Sequence, residues 1–220
     1  MVSFTIRTNF PEVQAKLQRL QSDVGAAALA SAINKTLAQG KTQMVRAITA
    51  EFNVKAAYVR DRLRIRRATA RGGTALIEGA LMGGKSDRTR SANIIAFVER
   101  KVTLAEGRRR RKAGTLNQLF VKVKRTGPVK PIPGAFIGNK GRTVFKRVGK
   151  TRLPIEPVQT IDVAQMFNTK RINIEVRKVM LAKFPTVFAR EAAFYTERFN
   201  RQAINAAFDK LREVRASGGA

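Results

Sequence analysis

Arg60-Asp61-Arg62-Leu63-Arg64-Ile65-Arg66-Arg67 is the stretch on which the reading of the fold turns. Up to Leu63 the apolar residues recur at helical spacing. From Leu63 onward they alternate with cations, as in a strand with one basic face. A helical N-terminal part therefore meets a β-rich middle near residue 64. Upstream, Asn53 stands where a cap would start a short helix running to Leu63. Leu29, Ile33, Leu37, Met44, Ile48 and Phe52 form one stripe and predict a helix over about 26–52, roughly 40 Å long. Val13, Leu17, Leu20 and Val24 predict an earlier helix that starts near Asn9-Phe10-Pro11 and breaks at Gly25. Residues 2–8 alternate as a short strand.

Downstream of the quoted stretch, glycine, proline and short β-branched or aromatic runs replace the helical period. Strands are expected at 63–69, 74–82, 93–103, 118–125, 134–137, 143–148 and 153–158. Helix returns at Thr160 with Ile161, Ala164 and Phe167, and a second piece carries Ile172, Val176, Val179 and Ala182. Pro185 disfavours helical geometry at Phe184, which predicts a boundary or kink there. The last helix, about 186–213, places Phe188, Ala192, Tyr195, Phe199, Ala203 and Ala206 on one stripe. The expected fold class is α+β, a β-rich central region flanked by long N-terminal and C-terminal helices. It reads as a single domain over 1–220, with parts at 1–63, 64–158 and 159–216. Leu153, Pro154, Ile155, Met166 and Phe167 are expected to pack at the junction between the sheet and the C-terminal helices.

The chain of 220 residues carries 44 Lys and Arg against 15 Asp and Glu, a net charge of +29, and 44% hydrophobic residues. A core is affordable and wholesale disorder is not expected. Cysteine, histidine and tryptophan are absent. Disulfides, zinc–thiolate sites and imidazole bases are thereby excluded, and with carboxylates scarce the composition argues against an enzyme. No cofactor is implied. No run approaches the roughly 18 apolar residues of a membrane span, and the N-terminus is too short and polar for a secretory signal.

Residues 101–152 hold 16 Lys and Arg against Glu106 alone. Within them Arg108, Arg109, Arg110, Arg111 and Lys112 read as an exposed loop, because five adjacent cations repel and resist burial. With Lys122, Lys124 and Arg125 they form the candidate surface for a polyanion, either DNA or an acidic protein neighbour. No helix-turn-helix, zinc finger or basic zipper is present, so sequence-specific reading is not expected. Gly134-Ala135-Phe136-Ile137-Gly138 with Val144-Phe145 has a superficial likeness to an RNA-binding sheet motif. Its spacing does not fit the required alternation, and buried core phenylalanines account for the same residues.

Gly79-Ala80-Leu81-Met82-Gly83-Gly84-Lys85-Ser86 matches the phosphate-loop pattern letter for letter. The charged turn Asp87-Arg88-Thr89-Arg90-Ser91 follows where a helix should begin. Asp162, the nearest candidate for a magnesium-binding aspartate, stands at a helix start and not after an apolar strand. A hairpin loop fits better.

Three stretches together resemble the minor tail protein Z family of tailed phages, also described as tail completion proteins. They are Phe4-Thr5-Ile6-Arg7-Thr8-Asn9-Phe10-Pro11-Glu12-Val13 with Ala32-Ile33-Asn34-Lys35-Thr36; Gly134-Ala135-Phe136-Ile137 with Val144-Phe145-Lys146-Arg147; and Arg152-Leu153-Pro154-Ile155-Glu156-Pro157 leading to Val163-Ala164-Gln165-Met166-Phe167. The resemblance implies a structural virion protein at the head-proximal end of the tail, assembled in the bacterial host cytoplasm. It would join tail to head and allow DNA to pass. Other tail and neck proteins are the implied partners, with a homo-oligomeric ring (six-fold as the expectation) and genomic DNA in the channel, and no membrane. No catalytic residue is implied. The competing reading is a free, sequence-nonspecific nucleic-acid-binding protein of the nucleoid or packaging type.

A hairpin at Gly79–Ser86 should not bind nucleotide. In a true phosphate loop Lys85 would reach the terminal phosphates and Ser86 the magnesium ion. Equilibrium dialysis with ATP and magnesium is expected to show no saturable binding, and Lys85→Ala no change.

Overall fold

The computed structural model describes residues 3–6, 22–70, 78–83, 92–100, 109, 112–114, 118–149 and 153–217. Helix α1 spans Ser22–Glu51. Alanine, the strongest helix former, recurs along it, and Leu29, Ile33, Leu37, Met44 and Ile48 bury the predicted stripe completely. The expected break at Gly25 does not occur. A buried interior glycine costs about 1 kcal/mol relative to alanine, and the flanking Ala26, Ala27 and Ala28 sustain the helix through it. The helix expected around Val13 and Leu17 lies outside the described residues.

Beyond α1, helix α2 (Ala56–Asp61) starts after Lys55, which makes no side-chain cap. Asn53 does not cap it, contrary to the sequence expectation. Its amide N–H donates to the Val123 carbonyl and its side chain to Glu99 instead, at 2.9 Å each. The alternating stretch becomes β2 (Leu63–Arg66), with Leu63 buried and Arg64 and Arg66 exposed. Strands β1 (Ser3–Ile6) and β3 (Gly79–Gly83) complete a three-stranded sheet with β3 in the middle. A Cβ on Gly79 would come within 2.7 Å of Leu37 and Ile33, so this glycine lets β3 lie close on α1. Lys85 and Ser86 lie outside the described residues.

The middle of the chain holds short antiparallel ladders. Strand β4 (Ala92–Asn93) leads into a 3₁₀ turn, Ile94–Phe97, and then β5 (Val98–Arg100). This divides the single strand expected over 93–103. Strand β6 (Gln118–Val121) lies between β5 and β7 (Lys130–Pro133). Sequence pattern gave no strand at β7, because Pro131 and Pro133 argue against one. They are tolerated at an outer position of the ladder. Strand β9 (Thr143–Arg147) pairs with β8 (Ala135–Gly138) on one side and β10 (Ile155–Pro157) on the other. Strand β11 (Gln159–Thr160) pairs with β4.

Helix α3 (Val163–Phe167) opens with a capping box. Asp162 accepts from the Val163 N–H at 2.7 Å, and Gln165 reaches back to the Asp162 N–H at 3.1 Å. The carboxylate weighed as a magnesium ligand is thus a helix cap. Helix α4 (Lys170–Ser217) runs unbroken through Pro185. That proline forfeits the bond to the Leu181 carbonyl, at about 3 kcal/mol for a helix interior. Phe184 and Phe188, both buried with rings 6.3 Å apart, hold the turns on either side. The fold is α+β, as the sequence pattern predicts. The described residues form two compact units, one within Lys41–Arg64 and Met82–Val176, the other within Ser3–Gly40, Ile65–Leu81 and Arg177–Ala220.

The residues named for the packing junction differ in burial. Met166 and Phe167 are fully buried, whereas Leu153 is 65% exposed, Ile155 36%, and Pro154 lies open with them. Strand β10 is the outer strand of its sheet, which leaves these side chains outside the core. Phe167→Ala should therefore cost about 3–5 kcal/mol in urea unfolding. Ile155→Ala should change stability by no more than about 0.5 kcal/mol.

Candidate polyanion-facing surface

Within the basic segment, Lys122–Arg125 are held at the C-terminal end of α1. Lys122 donates its N–H to the Phe97 carbonyl at 3.0 Å, which extends the β6 ladder. Lys124 forms an antiparallel bridge with Phe52, and the Arg125 N–H donates to the Glu51 carbonyl at 2.9 Å. One of the carbonyls left over at the end of α1 thus receives its donor from the basic segment itself. The partial negative charge of that helix end also favours cations placed beside it, by about 0.3–1 kcal/mol each. Lys124 and Arg125 point into solvent and Lys122 is half-buried. The Glu51 carboxylate is bound by Arg171 at 2.9 Å, so it is already engaged.

Arg109 and Lys112 lie on a separate helical turn, closed by the Ala113 N–H donating to the Arg109 carbonyl at 3.0 Å, and both are exposed. Gly114 follows with φ 71°, a left-handed conformation suited to glycine. Arg108, Arg110 and Arg111 lie outside the described residues. The structure brings Lys122, Lys124 and Arg125 onto one pinned segment and places Arg109 and Lys112 on another.

Charged residues that sequence reasoning left without a role have defined surroundings. The Arg62 guanidinium lies 3.6 Å from the centre of the Tyr58 ring and also donates to the Tyr58 carbonyl. Burial pushes the Tyr58 phenol upward; Arg62 pulls it down and Asp162 pushes it further up, and the net shift is upward. The ring therefore stays neutral, and the cation keeps its charge. Arg147 sits 5.1 Å above the Phe136 ring.

In the other unit, Glu191 is only 6% exposed. It accepts from the Ser31 hydroxyl at 2.7 Å and from Lys35 Nζ at 2.6 Å. Ser31 and Lys35 are one helical turn apart on the polar side of α1, a spacing the sequence displayed without showing its partner. Asn34 exchanges two hydrogen bonds with the backbone of Ala68, at 2.8 and 2.9 Å. A cleft of about 500 Å³ opens here, lined by alanines together with Ser31, Asn34, Lys35, Arg67 and Tyr195. Ser31 and Lys35 are both engaged with the same carboxylate. Among the described residues no cluster of carboxylates is arranged to hold a metal ion. No described helix is long and apolar enough to cross a membrane.

The family model for prophage minor tail protein Z matches residues 12–202 of the chain. No curated protein and no solved structure gives a significant match.

The Glu191 contacts predict an acid-sensitive fold. Burial alone would raise its pKa, but the hydrogen bonds from Lys35 and Ser31, with the charges of Lys35 and Arg190, outweigh it and hold the group below its ordinary 4.5. A carboxylate depressed in the folded state contributes stability above the unfolded value, and that contribution is lost as pH falls through the folded one. Urea midpoints should therefore fall as pH is lowered below about 4.5, and Glu191→Gln should be less stable at neutral pH and lose less on acidification.

Proposed function

Since this chain belongs to the prophage minor tail protein Z family, and is accordingly a structural protein of a phage tail, we propose that it acts at the head-proximal end of that tail. In this reading it completes the tail for joining to a filled head and leaves a path for the genome. It is not an enzyme. It assembles in the host cytoplasm and ends in the virion, as a ring of identical copies, six-fold by expectation, in contact with other tail and neck proteins.

The observation that carries the reading is the basic segment pinned at Lys122–Arg125. Sixteen cations and one carboxylate between residues 101 and 152 repel one another over distances near the roughly 8 Å screening length of physiological salt. A structural protein gains from such a segment when assembly brings it against a polyanion. DNA in the tail channel would release counterions from each neutralised phosphate. An acidic neighbouring ring would form residue-specific salt bridges instead. Arg108 to Lys112, with Lys122, Lys124 and Arg125, are the residues assigned to that contact. Leu153, Pro154 and Ile155, being exposed, suit a contact with a neighbouring tail protein.

Replacing Arg108, Arg109, Arg110, Arg111 and Lys112 with Ser should leave the unfolding transition within about 0.5 kcal/mol of the parent. Phage carrying the change should accumulate unjoined heads and tails or fail to deliver DNA. Mass spectrometry of purified parent virions should find the chain at a small, fixed copy number. Fully infectious particles from the Ser variant would overturn the assignment of the run, and absence of the chain from virions would overturn the tail-end role.

A further inference from the structure

The sheet β8–β9–β10 presents its aromatic side outward. Its register places Phe136 opposite Phe145, and Pro157 beside Phe145 on the far strand. Alternation then assigns Phe136, Gly138, Thr143, Phe145, Arg147, Ile155 and Pro157 to one face. Ala135 and Val144, on the other face, are 1% and 0% exposed, so that side is the one turned to the core. The two phenylalanines that the sequence pattern assigned to a buried core are half-buried on the opposite side.

Their arrangement is specific. A Cβ on Gly138 would stand 3.0 Å from two atoms of the Phe145 ring, so the missing side chain allows that ring to lie down over β8. The Phe136 ring is beside it, with centroids 6.0 Å apart and planes inclined by 30°. Both rings are half-buried, so part of each remains accessible on this face. Arg147 adds a guanidinium 5.1 Å from the Phe136 centroid. Lys140 and Arg142, both exposed, stand in the turn that joins β8 to β9. Glu156, the carboxylate on these three strands, pairs with Lys146 on the opposite side. The sheet is fixed from behind by Asn93, which accepts from the Val144 N–H at 2.8 Å and donates to its carbonyl at 3.1 Å.

We infer that this face binds unpaired nucleic acid, with bases stacking on Phe136 and Phe145 and phosphates meeting Arg147, Arg142 and Lys140. Flat aromatic rings among cations, on a sheet held rigid from behind, are the features that single-strand binding requires, and stacking is indifferent to base identity. Duplex DNA would engage the cations and leave the rings unused, because its bases are already stacked. An acidic peptide would likewise depend on the cations alone. This site is separate from the Arg108–Lys112 run and uses a different kind of contact.

The chain contains no tryptophan, so Phe136→Trp introduces a single indole as a reporter on this face. Its emission should be quenched by oligo-dT of about 12 nucleotides, a length within the range of such sites. It should not be quenched by a duplex of the same length or by polyglutamate. In anisotropy titrations of the full chain, Phe136→Leu with Phe145→Leu should weaken oligo-dT binding roughly tenfold or more and leave duplex binding within about twofold. Phe145→Tyr, which keeps a stacking surface, should retain single-strand binding, and circular dichroism verifies that each variant is folded. The inference is overturned if the indole is not quenched by oligo-dT, if duplex or polyglutamate quenches it equally, or if the Leu pair binds oligo-dT as tightly as the parent.

Discussion

Negative charge is the scarce resource of this molecule, and the disposition of its few carboxylates shapes the rest. Glu191 holds Ser31 and Lys35, Glu51 holds Arg171, Glu99 takes the Asn53 amide, and Asp162 caps α3. Each is engaged at a point where two distant parts of the chain meet or a helix begins. A carboxylate so placed stabilises the fold and offsets the cation it holds, but 15 carboxylates leave most of the 44 Lys and Arg uncompensated. Lys124 and Arg125 therefore face solvent at the end of α1, where the helix end offsets part of their repulsion. Self-repulsion of this kind is tolerable in a folded monomer and is relieved on meeting a polyanion.

Apolar packing explains why the helices survive residues that ought to break them. The stripe from Leu29 to Ile48 is buried throughout, so its burial outweighs the modest cost of Gly25. At Pro185 the loss of one backbone bond is offset by two buried phenylalanines, each worth about 1.5–3 kcal/mol. Local propensity is a weak prior, and at both positions burial decided the outcome. That is why the α1 stripe and the β2 alternation were legible from residue spacing, while the break expected at Gly25 and a helix boundary at Pro185 are absent. Spacing reports which side of an element is apolar. It does not report how much that side buries.

The candidate surfaces were legible to a different degree. Charge density alone located the basic segment, but its attachment to Glu51 and Phe52 rests on backbone bonds that leave no trace in side-chain pattern. Strand β7 was missed because Pro131 and Pro133 speak against a strand, and only pairing on a single side reconciles them with one. Phe136 and Phe145 were read as core because aromatic residues in a strand usually are. Which face of β8–β9–β10 turns inward is set by Ala135 and Val144, small or β-branched residues that carry no such signal by themselves. Gly79 is the converse case: it completes a phosphate-loop pattern, yet its lack of a side chain is accounted for by Leu37 and Ile33.

Two arginines are held against aromatic rings as well as by polar partners. Arg62 lies on the Tyr58 ring and Arg147 over the Phe136 ring. An aromatic face orients a guanidinium through its quadrupole while leaving the full positive charge in place. A carboxylate partner would orient it equally well but would cancel the field that a polyanion senses. Orientation by a ring also removes part of the side-chain entropy that a flexible arginine would lose on binding, about 0.5–1.5 kcal/mol for each immobilised side chain. An aromatic ring therefore helps to hold these cations in place for a partner without itself neutralising them. The same physical argument links the abundance of arginine to the otherwise unexpected outward position of Phe136.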